Sequence, residues 1–223
     1  MTNSLIQAFH DIRLKMLTPL GRLALPQGYW HNPNNTSCHL TFDDGPFPET
    51  TPALLELLAK TKTKATFFFC GRNVERHPNL VEMTAREGHQ IGNHTQNHPP
   101  LLALSNRKFE QELDRTNELI KDATGSVAKL FRPPYAIIDH GKARIVTERG
   151  MRLVYWGAFA EDWNPIGASE VSRRIMAQIR PGSLIVLHES KHLASQCLDS
   201  TKLILEHAKL RGLTFDTMEY LDA

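Results

Sequence analysis

The chain has 223 residues, a length that fits one domain around a single sizeable core, since two cores would leave each half small and poorly buried. Its 26 Lys and Arg against 24 Asp and Glu give a formal net charge of +2 with both signs scattered and no aromatic-and-arginine stripe, which excludes nucleic acid as the expected partner. Three widely spaced cysteines, Cys38, Cys70 and Cys197, form no CxxC pair, which excludes a disulfide framework and a zinc knuckle and favours a reducing compartment.

Leu5, Phe9, Ile12, Met16 and Leu20 recur at helical spacing among Arg13, Lys15 and Arg22, and predict an amphipathic helix within an N-terminal extension, residues 1–35. That helix packs on the main domain or, as the alternative, rests on a membrane surface. His10, Asp11, Arg13 and Lys15 interrupt the apolar run, so no signal peptide is expected, no stretch is long enough to span a bilayer, and the expected location is cytoplasmic. The polar stretch HNPNNTS, His31 to Ser37, marks a boundary, and residues 36–223 are expected to form the catalytic domain.

From there short apolar runs alternate with helical patterns. Strands are predicted over Cys38 to Phe42, Ala65 to Cys70, Gln90 to Gly92, Lys129 to Phe131, Leu153 to Trp156, Ser183 to Leu187 and Thr214 to Phe215. Helices are predicted over Thr51 to Lys60, Asn79 to Glu87, Asn106 to Lys121, His140 to Arg149, Ser169 to Ile179 and Ala194 to Leu210. Helices that separate buried strands imply an α/β fold with a mostly parallel sheet, either a barrel or a wound sheet.

In both architectures functional side chains gather beyond the carboxyl ends of the strands. The ionisable residues follow that rule: Asp43 and Asp44, His94 and His98, Arg132, Asp162 and His188 all come just after predicted strands. Two adjacent carboxylates in TFDDGP repel each other unless a cation neutralises one, so one can bind a metal while the other acts as a base; the alternative is an ordinary Asp-Gly-Pro turn. In NHTQNHP the two histidines are four apart, which on one helical turn places both imidazoles on the same side, as in HExxH zinc sites; the alternative is an exposed or hydrogen-bonded pair. Two imidazoles and one carboxylate would complete a catalytic zinc set with an open position for water. FRPPY reads as a stiff loop that could fix Tyr135, and His188 as either a core-edge histidine or a general acid whose pKa Asp162 could raise.

In this order, TFDDGP, HTQNHP, RPPY, DW and the LIVLH strand resemble the five motifs of the polysaccharide deacetylase family, carbohydrate esterase family 4, also called the NodB homology domain, from about Cys38 to Leu213. The resemblance implies a distorted, seven-stranded (β/α) barrel. It implies one divalent metal, zinc in the first place with cobalt or nickel accepted, bound by Asp44, His94 and His98. It implies Asp43 as the base that activates the attacking water, Arg132 as its orienting partner, His188 as the acid for the leaving group and Asp162 as the group that tunes His188. The backbone N–H of Tyr135 would face the oxyanion, and Trp163 and Val186 would line the acyl pocket.

Two positions depart from the family pattern: Ala136 stands after RPPY where Gly is usual, and Val186 where Leu is frequent. The activity implied is hydrolysis of acetyl groups from N-acetylated or O-acetylated sugars or glycans. Two alternatives remain: a deacylase or deformylase of another amide, such as a lipid-linked aminosugar reached through a membrane-contacting N-terminal helix, and a non-catalytic carbohydrate-binding barrel.

Overall fold

The computed structural model describes residues 26–32 and 36–218. Most of the predicted N-terminal extension, including its amphipathic helix, lies outside the described residues. Six strands carry the fold: β1 (His39–Asp43), β2 (Thr66–Phe69), β3 (Gln90–Asn93), β4 (Leu130–Phe131), β5 (Arg152–Leu153) and β6 (Leu184–His188). Between and after them lie α1 (Thr51–Lys60), α2 (Gly71–Arg76), α3 (Pro78–Arg86), α4 (Asn106–Thr124), α5 (His140–Glu148), α6 (Ala168–Met176) and α7 (Ala194–Leu210). The sheet order is β5-β4-β3-β2-β1-β6, and every strand pair is parallel.

This is a parallel α/β half-barrel of six strands among the described residues, which corrects the expected count of seven. The predicted strand at Thr214 to Phe215 is reduced to an isolated parallel bridge between Cys38 and Phe215. Beyond β5 the chain turns back to the other edge: the backbone N–H groups of Gly157 and Ala158 both donate to the Leu184 carbonyl, at 2.9 and 2.8 Å. Ala158 thereby bridges Ile185 of β6.

Side chains alternate across a strand with period two, and here both faces are covered, so the strands read as nearly continuous apolar runs. Leu40, Phe42, Phe67, Phe69, Ile185 and Leu187 point into one core shared with Leu54, Leu58, Val171, Ile175, Ile204 and Ala208 of the helices. Phe68, Leu184 and Leu130 pack in a separate cluster. Asp43 sits next to Phe42 and His188 next to Leu187, so both fall on the face opposite the helical core. The period that buries Phe42 and Leu187 therefore turns the carboxylate and the imidazole inward.

The helices start and stop where local chemistry dictates. The Ser105 hydroxyl caps α4 by accepting from the Lys108 N–H, and Gly125, at φ 77°, ends it in a left-handed conformation that a residue without Cβ adopts at no steric cost. Along α4 the buried residues Phe109, Leu113, Thr116 and Ile120 recur at intervals of three and four, which is the stripe that docks it. Among the described residues no helix is long and apolar enough to cross a membrane.

Candidate active site

Because all strands run the same way, their carboxyl ends share one rim. β1 ends on Asp43, β3 runs into His94, β4 into Arg132, and β6 ends on His188. Asp43 and His188 are direct register partners on neighbouring strands.

Asp44 Oδ1 lies 3.6 Å from His94 Nε2 and 3.5 Å from His98 Nε2, and one ligand atom from each of the three residues falls within 4.8 Å of the others. Tetrahedral coordination with bonds of about 2.0–2.2 Å places neighbouring ligand atoms about 3.3–3.6 Å apart, so both carboxylate-to-imidazole distances already suit a divalent ion. The tautomers suit it too. His94 Nδ1–H donates to the Arg132 carbonyl at 2.7 Å, which leaves the Nε2 lone pair facing the other two groups. Burial pushes the His98 imidazole down to about 4, so at neutral pH it is uncharged and able to ligate. Burial opposes ionisation of Asp44, but the neighbouring His98, His188 and His94 draw its carboxyl below the ordinary value.

The two histidines do not sit on a helical turn. HTQNH is an irregular loop after β3, with Thr95 at φ 65° and His98 at φ 55°. Pro99 disfavours the helical region for His98, the residue before it, and the loop brings the imidazoles together instead, with ring centroids 4.9 Å apart.

Asp43 is fully buried and its two oxygens differ. Oδ1 accepts from Arg132 Nη1 at 2.7 Å, whereas Oδ2 has no hydrogen-bond partner and lies 3.9 Å from His94 Nε2. Arg132 is itself fully buried, donating also to Thr41 Oγ1 at 2.6 Å and to the Tyr155 carbonyl at 3.0 Å, with its guanidinium 4.1 Å from the Phe68 ring centroid. One arginine thus fixes one edge of the carboxylate and leaves the other turned to Asp44, His94 and His98.

His188 is held by both oxygens of Asp162: its Nδ1–H donates to Oδ1 at 2.9 Å and its backbone N–H to Oδ2 at 2.7 Å. Burial alone would lower this imidazole. The Asp162 carboxylate, with Asp44 and Asp43 beyond it, outweighs burial and holds it up at about 9. Trp163 stands edge-on to the imidazole at 5.1 Å and Trp156 at 6.0 Å, while Val186 is fully buried in the cluster that contains Trp156.

Tyr135 lies in a tight turn, Pro134–Ala136, with φ 59° and its ring 4.7 Å from that of His98. Ala136 follows at φ 58°, a left-handed backbone in which glycine carries no penalty, so the departure from the family's glycine is accommodated at a cost of about 1–2 kcal/mol. Of the seven non-glycine residues with positive φ among those described, Asp44, Thr95, His98, Tyr135, Ala136 and Glu161 lie in these loops, leaving Lys62 alone elsewhere. Such strain persists where surrounding contacts over-determine it.

Those contacts include residues that the sequence did not single out. Three successive carbonyls of the aspartate loop are anchored by residues distant in sequence: Asp43 O accepts from the Glu189 N–H at 2.9 Å, Asp44 O from Asn73 Nδ2 at 2.8 Å, and Gly45 O from the Cys70 N–H at 3.0 Å. The Glu189 side chain is buried against Gly45, and its Oε2 accepts from the hydroxyls of Thr50 and Thr51. Burial raises this carboxyl to about 7. Gln196 Nε2 donates to the carbonyls of Asp162 and Asn164 at 2.8 and 2.9 Å, and so fixes the loop that carries the partner of His188.

Residues 31–154 match the family model described as Polysaccharide deacetylase. The chain is 35% identical over 187 residues to a peptidoglycan-N-acetylglucosamine deacetylase of Bacillus cereus, covering 83% of this chain and 68% of that protein. It is 36% identical over 156 residues to a chitooligosaccharide deacetylase of Rhizobium leguminosarum bv. trifolii, covering 70% of this chain and 73% of the relative. Against a longer relative from Listeria monocytogenes the match spans 39% of that protein's length. Among solved structures, the Bc1960 peptidoglycan N-acetylglucosamine deacetylase in complex with a naphthalenyl N-oxidanyl-benzamide superposes with a TM-score of 0.83 at 32% identity, covering 86% of this chain and 91% of that one.

Proposed function

The chain belongs to the polysaccharide deacetylase family, and on that premise we propose that it hydrolyses the N-acetyl group of an N-acetylglucosamine-containing glycan at a single divalent metal held by Asp44, His94 and His98. The observation that carries this reading is the unpartnered, buried Oδ2 of Asp43 beside three groups already spaced for one ion. A divalent ion held there by Asp44, His94 and His98, zinc by preference with cobalt or nickel accepted, would polarise an acyl carbonyl and lower the pKa of water to about 7.

Asp43 Oδ2 accepts a proton from the attacking water while Arg132 holds Oδ1 and keeps the carboxylate oriented. The water oxygen bonds to the acyl carbon, and the backbone N–H of Tyr135 is assigned to the oxygen that gains charge. The carbon–nitrogen bond then breaks, the His188 imidazolium gives its proton to the departing amine, and acetate is released. Asp162 keeps His188 charged and aimed. Trp163 walls the methyl of the acyl group, with Val186 packed behind it. A carbohydrate-binding barrel without activity would need neither the base nor the acid, and the presence of both Asp43 and His188 favours the enzyme.

Acetate release tests the reading across N-acetylglucosamine oligomers, peptidoglycan fragments and acetylated xylan. Activity on N-acetylated glycans is expected; activity confined to amides outside carbohydrates would overturn it. The same assay carries a pH prediction. His188 is raised above its ordinary value, so it is protonated and competent as an acid below about 9 and loses that competence as pH rises through it. Asp162→Asn removes the charge that raises it, so the alkaline limb of kcat/KM should move toward pH 7. An alkaline limb that stays in place in this variant would remove Asp162 from the role.

A further inference from the structure

Helix α2 touches both loops that carry the proposed metal ligands. Its first two backbone N–H groups, from Gly71 and Arg72, each donate at 2.9 Å to the carbonyls of Thr95 and Gln96, inside the loop between His94 and His98. At the next residue, the Asn73 side chain reaches the other way and donates from Nδ2 to the carbonyl of Asp44 at 2.8 Å. Asn73 is 4% exposed, so its amide is not exchanging this bond with bulk water. Arg72 also donates from Nη1 to the Asn97 carbonyl at 3.4 Å, so the six residues of α2 tie the carboxylate ligand to the imidazole ligands through four hydrogen bonds.

We propose that Asn73 is a positioning residue for the metal site: by fixing the Asp44 carbonyl it holds that residue at φ 74° and sets its carboxylate against His94 and His98 before any ion arrives. An aspartate in this backbone region is uphill of its ordinary conformations, and without an anchor it relaxes toward them. The neighbouring carbonyls of Asp43 and Gly45 are held by backbone donors from Glu189 and Cys70. The Asp44 carbonyl is the one held by a side chain, and so the one a substitution can release. Metal sites lose about tenfold to a hundredfold in affinity when a group that orients a ligand is removed, and a backbone anchor belongs at the lower end of that range. The inference rests on the proposed ligand set, since a preset carboxylate matters only if Asp44 binds the ion.

The test is zinc affinity, measured by competition with a chromophoric chelator on metal-stripped parent, Asn73→Ala, Asn73→Leu and Asn73→Gln. Each protein's melting temperature is measured in chelator alongside. Asn73→Leu keeps the volume without the donor, and Asn73→Gln keeps a donor one methylene further out. Zinc binding weaker by about tenfold in the Ala and Leu variants, with partial recovery in Gln, is the expected result. If Asn73→Ala does not fold, the Leu and Gln variants decide alone. Variants that melt lower in chelator yet bind zinc as tightly as the parent would reduce Asn73 to a structural residue and overturn the inference while leaving the ligand set intact. A parent that binds no zinc would instead overturn the ligand set, and the inference with it.

Discussion

Replacing Asp43 with Asn should lower kcat by a factor of about a hundred to ten thousand, the range over which a positioned general base contributes. Shape is conserved in this variant: the amide oxygen can still accept from Arg132 where Oδ1 does at 2.7 Å. What is lost is the basicity of Oδ2, the buried oxygen without a partner. Zinc affinity should stay within a few-fold of the parent, because Asp44 and the two imidazoles are untouched. The variant also leaves the Arg132 charge without its counter-charge, so activity should be measured at a temperature where folding has been verified. A folded Asp43→Asn protein that releases acetate at the parental rate would place the base elsewhere.

The second large effect falls on stability. Asp43 and Arg132 are both completely buried, and their ion pair is supported by the Thr41 hydroxyl, the Tyr155 carbonyl and the face of Phe68. A pair of this kind contributes modestly when intact, because desolvation offsets the attraction. Removing one partner strands the other charge, at a cost of about 3–5 kcal/mol. Arg132→Ala adds a cavity under Phe68, so the variant should lose at least that much against a total domain stability of about 5–15 kcal/mol. Arg132→Lys keeps the charge but not the fork that reaches three acceptors, and should fall between the two. Urea unfolding followed by circular dichroism measures both. A loss below about 1 kcal/mol in Arg132→Ala would mean that Asp43 finds another partner, and would remove the reason for its fixed orientation.

What the sequence discloses and what it hides divide along physical lines. α1 and α7 have the predicted bounds, since ten and seventeen residues give the helical period room to declare itself. α2 is invisible to that reading: GRNVER opens on glycine, offers one apolar residue and is shorter than two turns. The spacing of His94 and His98 suggested a helix by analogy with HExxH, and Pro99 was the signal against it. The expected seventh strand failed because two residues at Thr214 and Phe215 pair only through one bridge.

At the candidate site, residues that bring charge or a ring to the rim were legible, because ionisable groups after apolar runs stand out and five motifs fall in the family's order. Asn73, Glu189 and Gln196 were not. Each acts on backbone groups far away in sequence: Asn73 on Asp44, Glu189 on Asp43, Gln196 on Asp162. A hydrogen bond to a distant carbonyl leaves no periodicity and no composition to read. The family pattern implies a place for Val186 in the acyl pocket; it is fully buried, so any influence on the acyl group passes through the aromatic residues packed with it.

Calorimetric titration of zinc into the metal-stripped protein tests the proposed metal centre most directly. Asp44, His94 and His98 should bind one equivalent, acetate release should return in proportion to occupancy, and Asp44→Ala or His94→Ala should abolish both. Full acetate release in the presence of chelator, or one equivalent of zinc still bound with unchanged affinity in Asp44→Ala, would contradict it.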